Sequence, residues 1–338
     1  MARVQMGEKE RKIMMKKPVK LFMSIAASAL LLVACSQQSA SEKKASADAQ
    51  HIGILQYVDF ETLDVAREGF VDELEKAGYK DGDNVVIDYQ NAQGDQSNLQ
   101  TISEKLVKDN DLVLGIATPA AQALTTASSD VPVTFTAVTD PVSAKLVESL
   151  KKPGGNATGT TDLAPTQERI DLLKKVMPDL KKVCIMYTTN ERNSEVQVKE
   201  AQKLFKKEGI EVVTKGIAST NDVQDTARSL MNQTEVLYMP TDNLIDSSIT
   251  LVTDLSREMK VPVYAANADL VEKGALFSYG PDFEELGRQT ARQAIRILEG
   301  EKVSEVAIET PENLTVKVND DMAKLLKIDI SAIEDSKE

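Results

Sequence analysis

The sequence predicts an α/β protein of two lobes, each a parallel sheet with helices on both faces. Two observations support this fold class. Short apolar strands alternate with amphipathic helices from His51 onward, and the same order of elements then occurs a second time. The chain has 338 residues, 42% of them apolar, which suits two ordinary cores at roughly 150 residues per domain.

The first half of the chain reads as four strands separated by three helices, in strict βαβαβαβ order. Each strand is a short apolar run, and each helix carries apolar residues at spacings of three and four. The first helix, for example, ends at Gly78, a residue that favours helix termination. The predicted strands are 52–55, 85–89, 112–116 and 131–135, and the predicted helices are 63–77, 99–107 and 120–127.

The second half repeats this order. Val183 follows Ile52 by 131 residues, and Val261 follows Val131 by 130, so both ends of the unit are displaced equally. Equal spacing favours two Rossmann-like lobes over the alternative, a single large sheet with chance similarity. The predicted strands are 183–186, 211–214, 236–239 and 261–264, and the predicted helices are 196–208, 223–231 and 244–259.

The N-terminus has the composition of an export signal. Residues 1–34 carry seven basic and two acidic residues, and the last fourteen are uncharged. That apolar run is short for a membrane span of about 20 residues but suits a signal peptide. It ends in Leu-Val-Ala-Cys35, which resembles the lipobox of bacterial lipoproteins. We therefore expect a signal peptide over 1–34, palmitate-type lipidation at Cys35 and a flexible polar tether over 35–50; the alternative is a hydrophobic helix with an incidental Cys.

Composition excludes several classes of function. The net charge is −13, with no basic block outside the N-terminus, so a nucleic-acid partner is not expected. One His and two Cys exclude a multi-ligand zinc site, and no metal is predicted. There is no glycine-rich phosphate loop and no nucleophile elbow, so we expect neither a cofactor nor an enzyme.

The loops at the carboxyl ends of the strands are the predicted ligand site, because they line the crevice in such sheets. They are rich in hydroxyls, amides and small residues. Thr118 suits a helix N-cap before Pro119, leaving backbone N–H groups for a ligand carboxylate, while the aspartates could hold an ammonium; each could also be an ordinary cap. The candidate ligand-binding residues are Gln56, Tyr57, Thr118, Ala120, Ala121, Thr136, Asp140, Tyr187, Thr189, Asn190, Thr241, Asp242, Asn243, Asn267 and Asp269.

Three stretches resemble the substrate-binding lipoproteins of ABC importers, which have the type I periplasmic-binding-protein fold. They are 52–58 (IGILQYV), 240–243 (PTDN) and 274–291 (GALFSYGPDFEELGRQTA), and they are similar to the branch for tryptophan and other aromatic amino acids. The resemblance implies a hinge of three crossings between the lobes, at 156–160, at 277–281 and within 308–318. The first lobe would then comprise 51–157 plus about 281–308, and the second 158–280 plus about 309–338.

The same resemblance implies a function. The protein would be a monomer, anchored by its lipid to the outer face of the cell membrane, that captures an amino acid and delivers it to an ABC permease and its ATPase. L-tryptophan or another aromatic amino acid is the expected ligand, with its ring against Tyr57 or Tyr187. The alternatives are a ligand-sensing lipoprotein not coupled to transport, or an importer component for a branched amino acid, a purine or a sugar.

Overall fold

A computed structural model describes residues 49–334 of the chain. Eleven strands lie within this part, and they form two separate sheets. The predicted signal peptide, Cys35 and nearly all of the predicted tether lie outside the described residues. The strands are β1 (Gln50–Gln56), β2 (Val85–Asn91), β3 (Leu112–Ile116), β4 (Val133–Val138), β5 (Ala157–Thr161), β6 (Lys182–Thr188), β7 (Glu211–Ile217), β8 (Val236–Tyr238), β9 (Val263–Ala265), β10 (Phe277–Pro281) and β11 (Leu314–Val318).

The two sheets share one topology. The first has the order β2-β1-β3-β4-β5, and all of its strands are parallel. In the second, β7-β6-β8-β9-β10 repeat that order in parallel, and β11 pairs antiparallel with β10 at the edge. The duplication read from the 130-residue spacing is therefore real, and the predicted α/β class is confirmed.

Helices cover both faces of each sheet and complete the two lobes. In the first lobe, α1 and α10 lie on one face and α2 and α3 on the other; in the second, α4, α5, α11 and α12 lie opposite α6 and α8. None of the helices within 49–334 has the length and apolar character needed to cross a membrane. The helices are α1 (Glu61–Lys76), α2 (Gln96–Asp109), α3 (Thr118–Ala127), α4 (Thr166–Val176), α5 (Arg192–Lys207), α6 (Val223–Met231), α7 (Asn243–Asp246), α8 (Ile249–Met259), α9 (Asp269–Glu272), α10 (Phe283–Leu298), α11 (Asp320–Leu326) and α12 (Ser331–Glu334).

The return of α10 to the first lobe depends on two glycines. A Cβ at Gly69 of α1 would overlap the carbonyl oxygen of Glu284, and a Cβ at Gly287 of α10 would overlap that of Ala66. Glycine at both positions lets the two helix backbones touch. This contact fixes the late segment of the chain to the lobe formed by its early part.

Some predicted elements have different ends. β4 and β9 begin two residues later than predicted, at Val133 and Val263, each directly after a proline, which has no N–H to donate to the sheet. The predicted helix 244–259 is two helices: α7 ends at Asp246, the backbone of Ser248 (φ −113°, ψ 17°) leaves the helical region, and α8 begins at Ile249.

The chain passes between the sheets three times. The stretch 156–160, expected to be the first crossing, instead forms most of β5, so the chain leaves the first sheet after Thr161. The second passage follows β10, since 277–281 is a strand of the second sheet, and the third precedes β11. Thr161 donates its N–H to the Glu309 carbonyl oxygen (2.9 Å), so the first and third passages run side by side.

Candidate functional site

The carboxyl ends of the two sheets face each other across a closed cleft. Lys273 of the second lobe forms an ion pair with Glu61 at the start of α1 (3.1 Å). Tyr57, which follows β1, is fully buried, and its pKa is raised by burial and then by the negative charges of Glu191 and Asp242 in the opposite lobe. Side chains of the two lobes therefore enclose one shared, water-poor space.

On the first-lobe side, several predicted residues serve the fold. Gln56 donates to the Val58 carbonyl oxygen (3.0 Å) and to Asp64 Oδ1 (2.9 Å), holding the loop after β1. Thr136 accepts from the Thr160 hydroxyl (3.1 Å), and Asp140 accepts from the Ser143 N–H (2.9 Å) in a local turn. Ala120 and Ala121 are buried where α3 packs closely on β3.

Thr118 differs from the prediction. It is the first residue of α3 rather than its N-cap, and its hydroxyl is buried without a hydrogen-bond partner among the described residues. The residue before it, Ala117, has a φ of 78°, and Ala137 near the end of β4 has a φ of 55°. Alanine rarely adopts a positive φ, so the backbone is strained at both residues. Backbone strain of this kind is often found at functional sites. The Thr118 hydroxyl is thus held, unpaired, at the edge of the cleft.

On the second-lobe side, three predicted residues point elsewhere. The ring of Tyr187 lies near Gly216 of β7, on the face covered by α5. Thr189 donates to the Ile217 carbonyl oxygen (3.1 Å). Asn190 is exposed at a groove that Gln96 and Pro119 also line. Tyr187 and Thr189 therefore belong to the packing of the second lobe, whereas Asn190 lies beside α2 and α3 of the first lobe on the outer surface.

Asp242 is fully buried, with all of its hydrogen-bonding capacity used inside the second lobe. Its oxygens accept from the Thr188 N–H (2.6 Å) and hydroxyl (2.7 Å), the Ser194 hydroxyl (2.7 Å) and the Ile245 N–H (3.1 Å). Burial nevertheless raises the pKa of this carboxyl. Asp242 therefore ties β6, α5 and α7 together beneath the cleft.

Glu191 is a buried partner of this network that sequence reasoning missed. It accepts from Asn193, from the side chain and N–H of Asn243, and from the Leu244 N–H. Burial and the Asp242 charge raise the pKa of Glu191. Thr241, between these segments, offers its carbonyl oxygen to Asn193 (3.0 Å). Nothing in the local sequence distinguishes Glu191 from a solvated acid, because three of its four donor groups come from Asn243 and Leu244, on a distant loop.

Other cleft side chains have at least one oxygen without a hydrogen bond. Among residues 49–334, the following buried side chains near strand ends have an oxygen without a hydrogen bond: Thr118, Thr139, Thr161, Asp162, Asp246, Asn267 and Asp269. Each buried unsatisfied group costs about 1–3 kcal/mol. Both lobes contribute, so these oxygens are available to a polar molecule between them. Asn267 and Asp269 were predicted; Thr139, Thr161, Asp162 and Asp246 were not.

The unpaired acids have raised pKa values. Burial raises the pKa of Asp162 to about 6, against the opposing effects of the Thr139 hydroxyl and the Arg169 charge. Burial, and then the charges of Asp242 and Asp269, raise the pKa of Asp246. The second oxygen of Asp246 accepts a hydrogen bond from the Asn267 amide (2.8 Å). No group of three metal-ligating side chains within the described residues is arranged to hold a metal ion. The site is acidic and suited to a ligand that carries a positive charge.

The two α/β lobes are closed on each other, and unpaired polar groups lie between them. This arrangement is typical of a binding protein that encloses a small molecule. The family model for ABC transporter substrate-binding proteins matches residues 51–334, and the chain belongs to that family. It is 41% identical over 318 residues to the tyrosine-binding protein of Clostridioides difficile, and the alignment covers 92% of each of the two chains. The predicted type I periplasmic-binding-protein fold is confirmed.

Two solved structures indicate the conformational state. A domain from Streptococcus pneumoniae in complex with L-Trp superposes with a TM-score of 0.83 at 37% identity, covering 86% of this chain and 98% of that one. The ligand-free, open structure of a substrate-binding protein with adhesive properties from Clostridium difficile reaches 0.64 at 43% identity, covering 83% and 96%. The more identical relative fits less well, so this structure has the lobe arrangement of the complex.

Proposed function

We propose that the protein captures an aromatic amino acid, L-tryptophan or L-tyrosine, between its lobes and hands it to the permease of an ABC importer. The unpaired buried polar oxygens contributed by both lobes carry this proposal, because they are available to a polar molecule in the closed cleft. Family membership gives the class of activity. The names of the two relatives, one tyrosine-binding and one in complex with L-Trp, support the aromatic ligand.

The chemistry of the cleft suits a zwitterion. An ionised carboxylate accepts hydrogen bonds and donates none, so it matches an ammonium group. The Thr118 hydroxyl can donate to the carboxylate of the ligand. Tyr57 is our candidate for the ring contact, since it is buried at the end of β1 with its hydroxyl 3.4 Å from the Gly94 carbonyl oxygen. Tyr187 is the weaker candidate, because its ring packs within the second lobe. Binding alone accounts for these groups, and no reaction is proposed.

Ligand identity can be tested with the fluorescence of the ligand itself. The chain contains no Trp, so bound tryptophan would be the only indole in the complex. Titrating L-tryptophan into purified residues 51–338, with excitation where tyrosine does not absorb, should give a saturable signal shifted to shorter wavelength. L-tyrosine should displace it and L-leucine at the same concentration should not. A linear, unshifted signal, or equal displacement by leucine, would refute the aromatic assignment.

We also propose that the protein is a lipoprotein attached through Cys35 and works outside the cytoplasm. The charge pattern of residues 1–34 and the Leu-Val-Ala-Cys35 sequence support this. Cells fed a labelled palmitate analogue should label the wild type, and Cys35→Ala should lose the label. Cys184→Ala is the matched control, because Cys184 is the buried cysteine of β6 and should not affect labelling. Persistent labelling of Cys35→Ala would refute the anchor.

A further inference from the structure

Asp162 occupies the point where the two lobes are joined. It directly follows β5, and its N–H donates to the Val138 carbonyl oxygen at the end of β4 (3.3 Å). The residue before it, Thr161, donates to Glu309 on the neighbouring passage between the lobes (2.9 Å). Residues at such points absorb the backbone rotations of hinge closure, and Asp162 therefore lies where the two lobes move relative to each other.

The Asp162 side chain is buried, and the Thr139 hydroxyl and the Arg169 charge compensate only part of the cost of burying it. It is 1% exposed, and neither oxygen has a hydrogen bond of normal geometry from any residue of 49–334. The positive charge that acts on Asp162 is that of Arg169, which donates to the Tyr279 carbonyl oxygen (3.2 Å) and to Gln197 (2.9 Å) and keeps its Nη2 unpaired, without forming an ion pair with Asp162. A buried carboxylate in this state is strongly unfavourable unless a proton or a cation neutralises it.

The other unpaired acids of the cleft are better provided for. Asp246 has one oxygen on the Asn267 amide, and Asp269 has Lys273 beside it. Neither Asp162 oxygen accepts a hydrogen bond of normal geometry, although the Thr139 hydroxyl favours its charged form, and the hydroxyls of Thr139 and Thr161 are both buried without such a bond. A carboxylate with two hydroxyls close in sequence and strand order offers the three acceptors that a primary ammonium requires.

We propose that Asp162 is the charge switch of the cleft: its carboxylate binds the ammonium of the ligand in the closed form, and without that partner it disfavours closure. The ammonium assignment rests on the proposed function. A ligand shifts a conformational equilibrium only by its differential affinity for the two states. Here the difference is the neutralisation of a carboxylate that is hydrated when the lobes separate and dry when they meet.

The first experiment compares L-tryptophan with indole-3-propionate, which has the same skeleton without the ammonium, by calorimetry. Wild type should prefer tryptophan by about 10- to 150-fold, the range for a hydrogen-bonded charged group. Asp162→Asn should lose most of that preference. Glu309→Gln is the matched control, because this carboxylate lies on the adjoining passage but is partly exposed and 3.9 Å from Arg296; it should keep the wild-type preference.

Asp246→Asn distinguishes between Asp162 and Asp246 as the carboxylate that binds the ammonium. Loss of the tryptophan preference in Asp246→Asn, with Asp162→Asn unchanged, would overturn the assignment and move the ammonium to Asp246. If wild type prefers tryptophan and neither variant alters the preference, the inference fails while the proposed function stands. If wild type binds no aromatic amino acid, the proposed function itself fails.

The second experiment needs no ligand and tests the switch independently. X-ray scattering of the ligand-free protein should show a larger radius of gyration for wild type than for Asp162→Asn, since the neutral amide no longer opposes closure. Glu309→Gln should match wild type. Equal radii for wild type and Asp162→Asn would overturn the switch. A thermal melt checks folding, and we expect Asp162→Asn to melt no lower than wild type, because it removes an unpaired buried charge.

Discussion

Asparagine at position 242 should destabilise the protein although it differs from aspartate by little in size. The wild-type carboxylate accepts four hydrogen bonds, two of them from the backbone N–H groups of Thr188 and Ile245. An asparagine has one acceptor oxygen, so its amide must face two of the four donors. The Ser194 hydroxyl can rotate and accept, but a backbone N–H cannot.

The magnitude follows from that difference. One buried N–H left without an acceptor costs about 1–3 kcal/mol, and the remaining bonds lose their charge assistance. We therefore expect Asp242→Asn to lower the free energy of unfolding by about 2–4 kcal/mol at pH 7. Amino acid binding should weaken as a consequence, since the Thr188 and Ile245 segments border the cleft.

Urea unfolding followed by circular dichroism measures this free energy directly. Asp225→Asn is the control, because Asp225 is exposed on α6 and should change the midpoint little. A decrease in the free energy of unfolding of less than about 1 kcal/mol, with an unchanged denaturant dependence, would show that the hydrogen bonds of Asp242 stabilise the protein less than their geometry indicates. The contrast with Asp162→Asn, where the same substitution should not destabilise, is a further check.

Three more predictions concern helix packing, pH and the cleft mouth. Gly69→Ala should cost about 1–3 kcal/mol in urea unfolding, because its Cβ overlaps a carbonyl oxygen of α10, whereas Gly155→Ala, with open space around it, should be neutral. Because Asp162 has a raised folded-state pKa of about 6, the folded state binds more protons than the unfolded one between about pH 4 and 6. Its contribution to stability should thus fall as pH rises, by at most about 3 kcal/mol, and Asp162→Asn should show a flatter profile in pH-dependent melts. Lys273→Met should weaken tryptophan binding by about 0.2–1 kcal/mol at low salt and less at high salt, since its ion pair with Glu61 is partly exposed; a larger, salt-independent loss in calorimetry would contradict this.

Much of the fold follows from the sequence because its strands are buried on both faces. Such strands are continuous apolar runs, as at 112–116, and the helices between them keep a clear periodicity. β5 escaped detection because Ala-Thr-Gly-Thr-Thr is not an apolar run. Its Gly159 has a φ of 157° and lies against the Phe135 backbone, a packing requirement visible only when β4 is beside it.

The sequence by itself determined the class of protein. The charge pattern, the duplicated order of elements and the composition of the loops after the strands sufficed to predict two lobes with a polar ligand site between them. These features are local or periodic, so they are readable without coordinates. They also predicted Thr118, Asn267 and Asp269 as ligand-site residues, because the carboxyl ends of parallel strands meet at one edge.

Only the tertiary structure decided which polar groups are already satisfied. Asp242 and Asp162 look alike in sequence, yet one accepts four hydrogen bonds and the other has no partner among the described residues. Three of the four donor groups of Asp242 belong to Thr188 and Ser194, tens of positions away, and Asp162 lies where the chain leaves the first sheet. Hydrogen-bond satisfaction and desolvation are properties of that three-dimensional environment, so the same residue type can hold one lobe together or be left for a ligand.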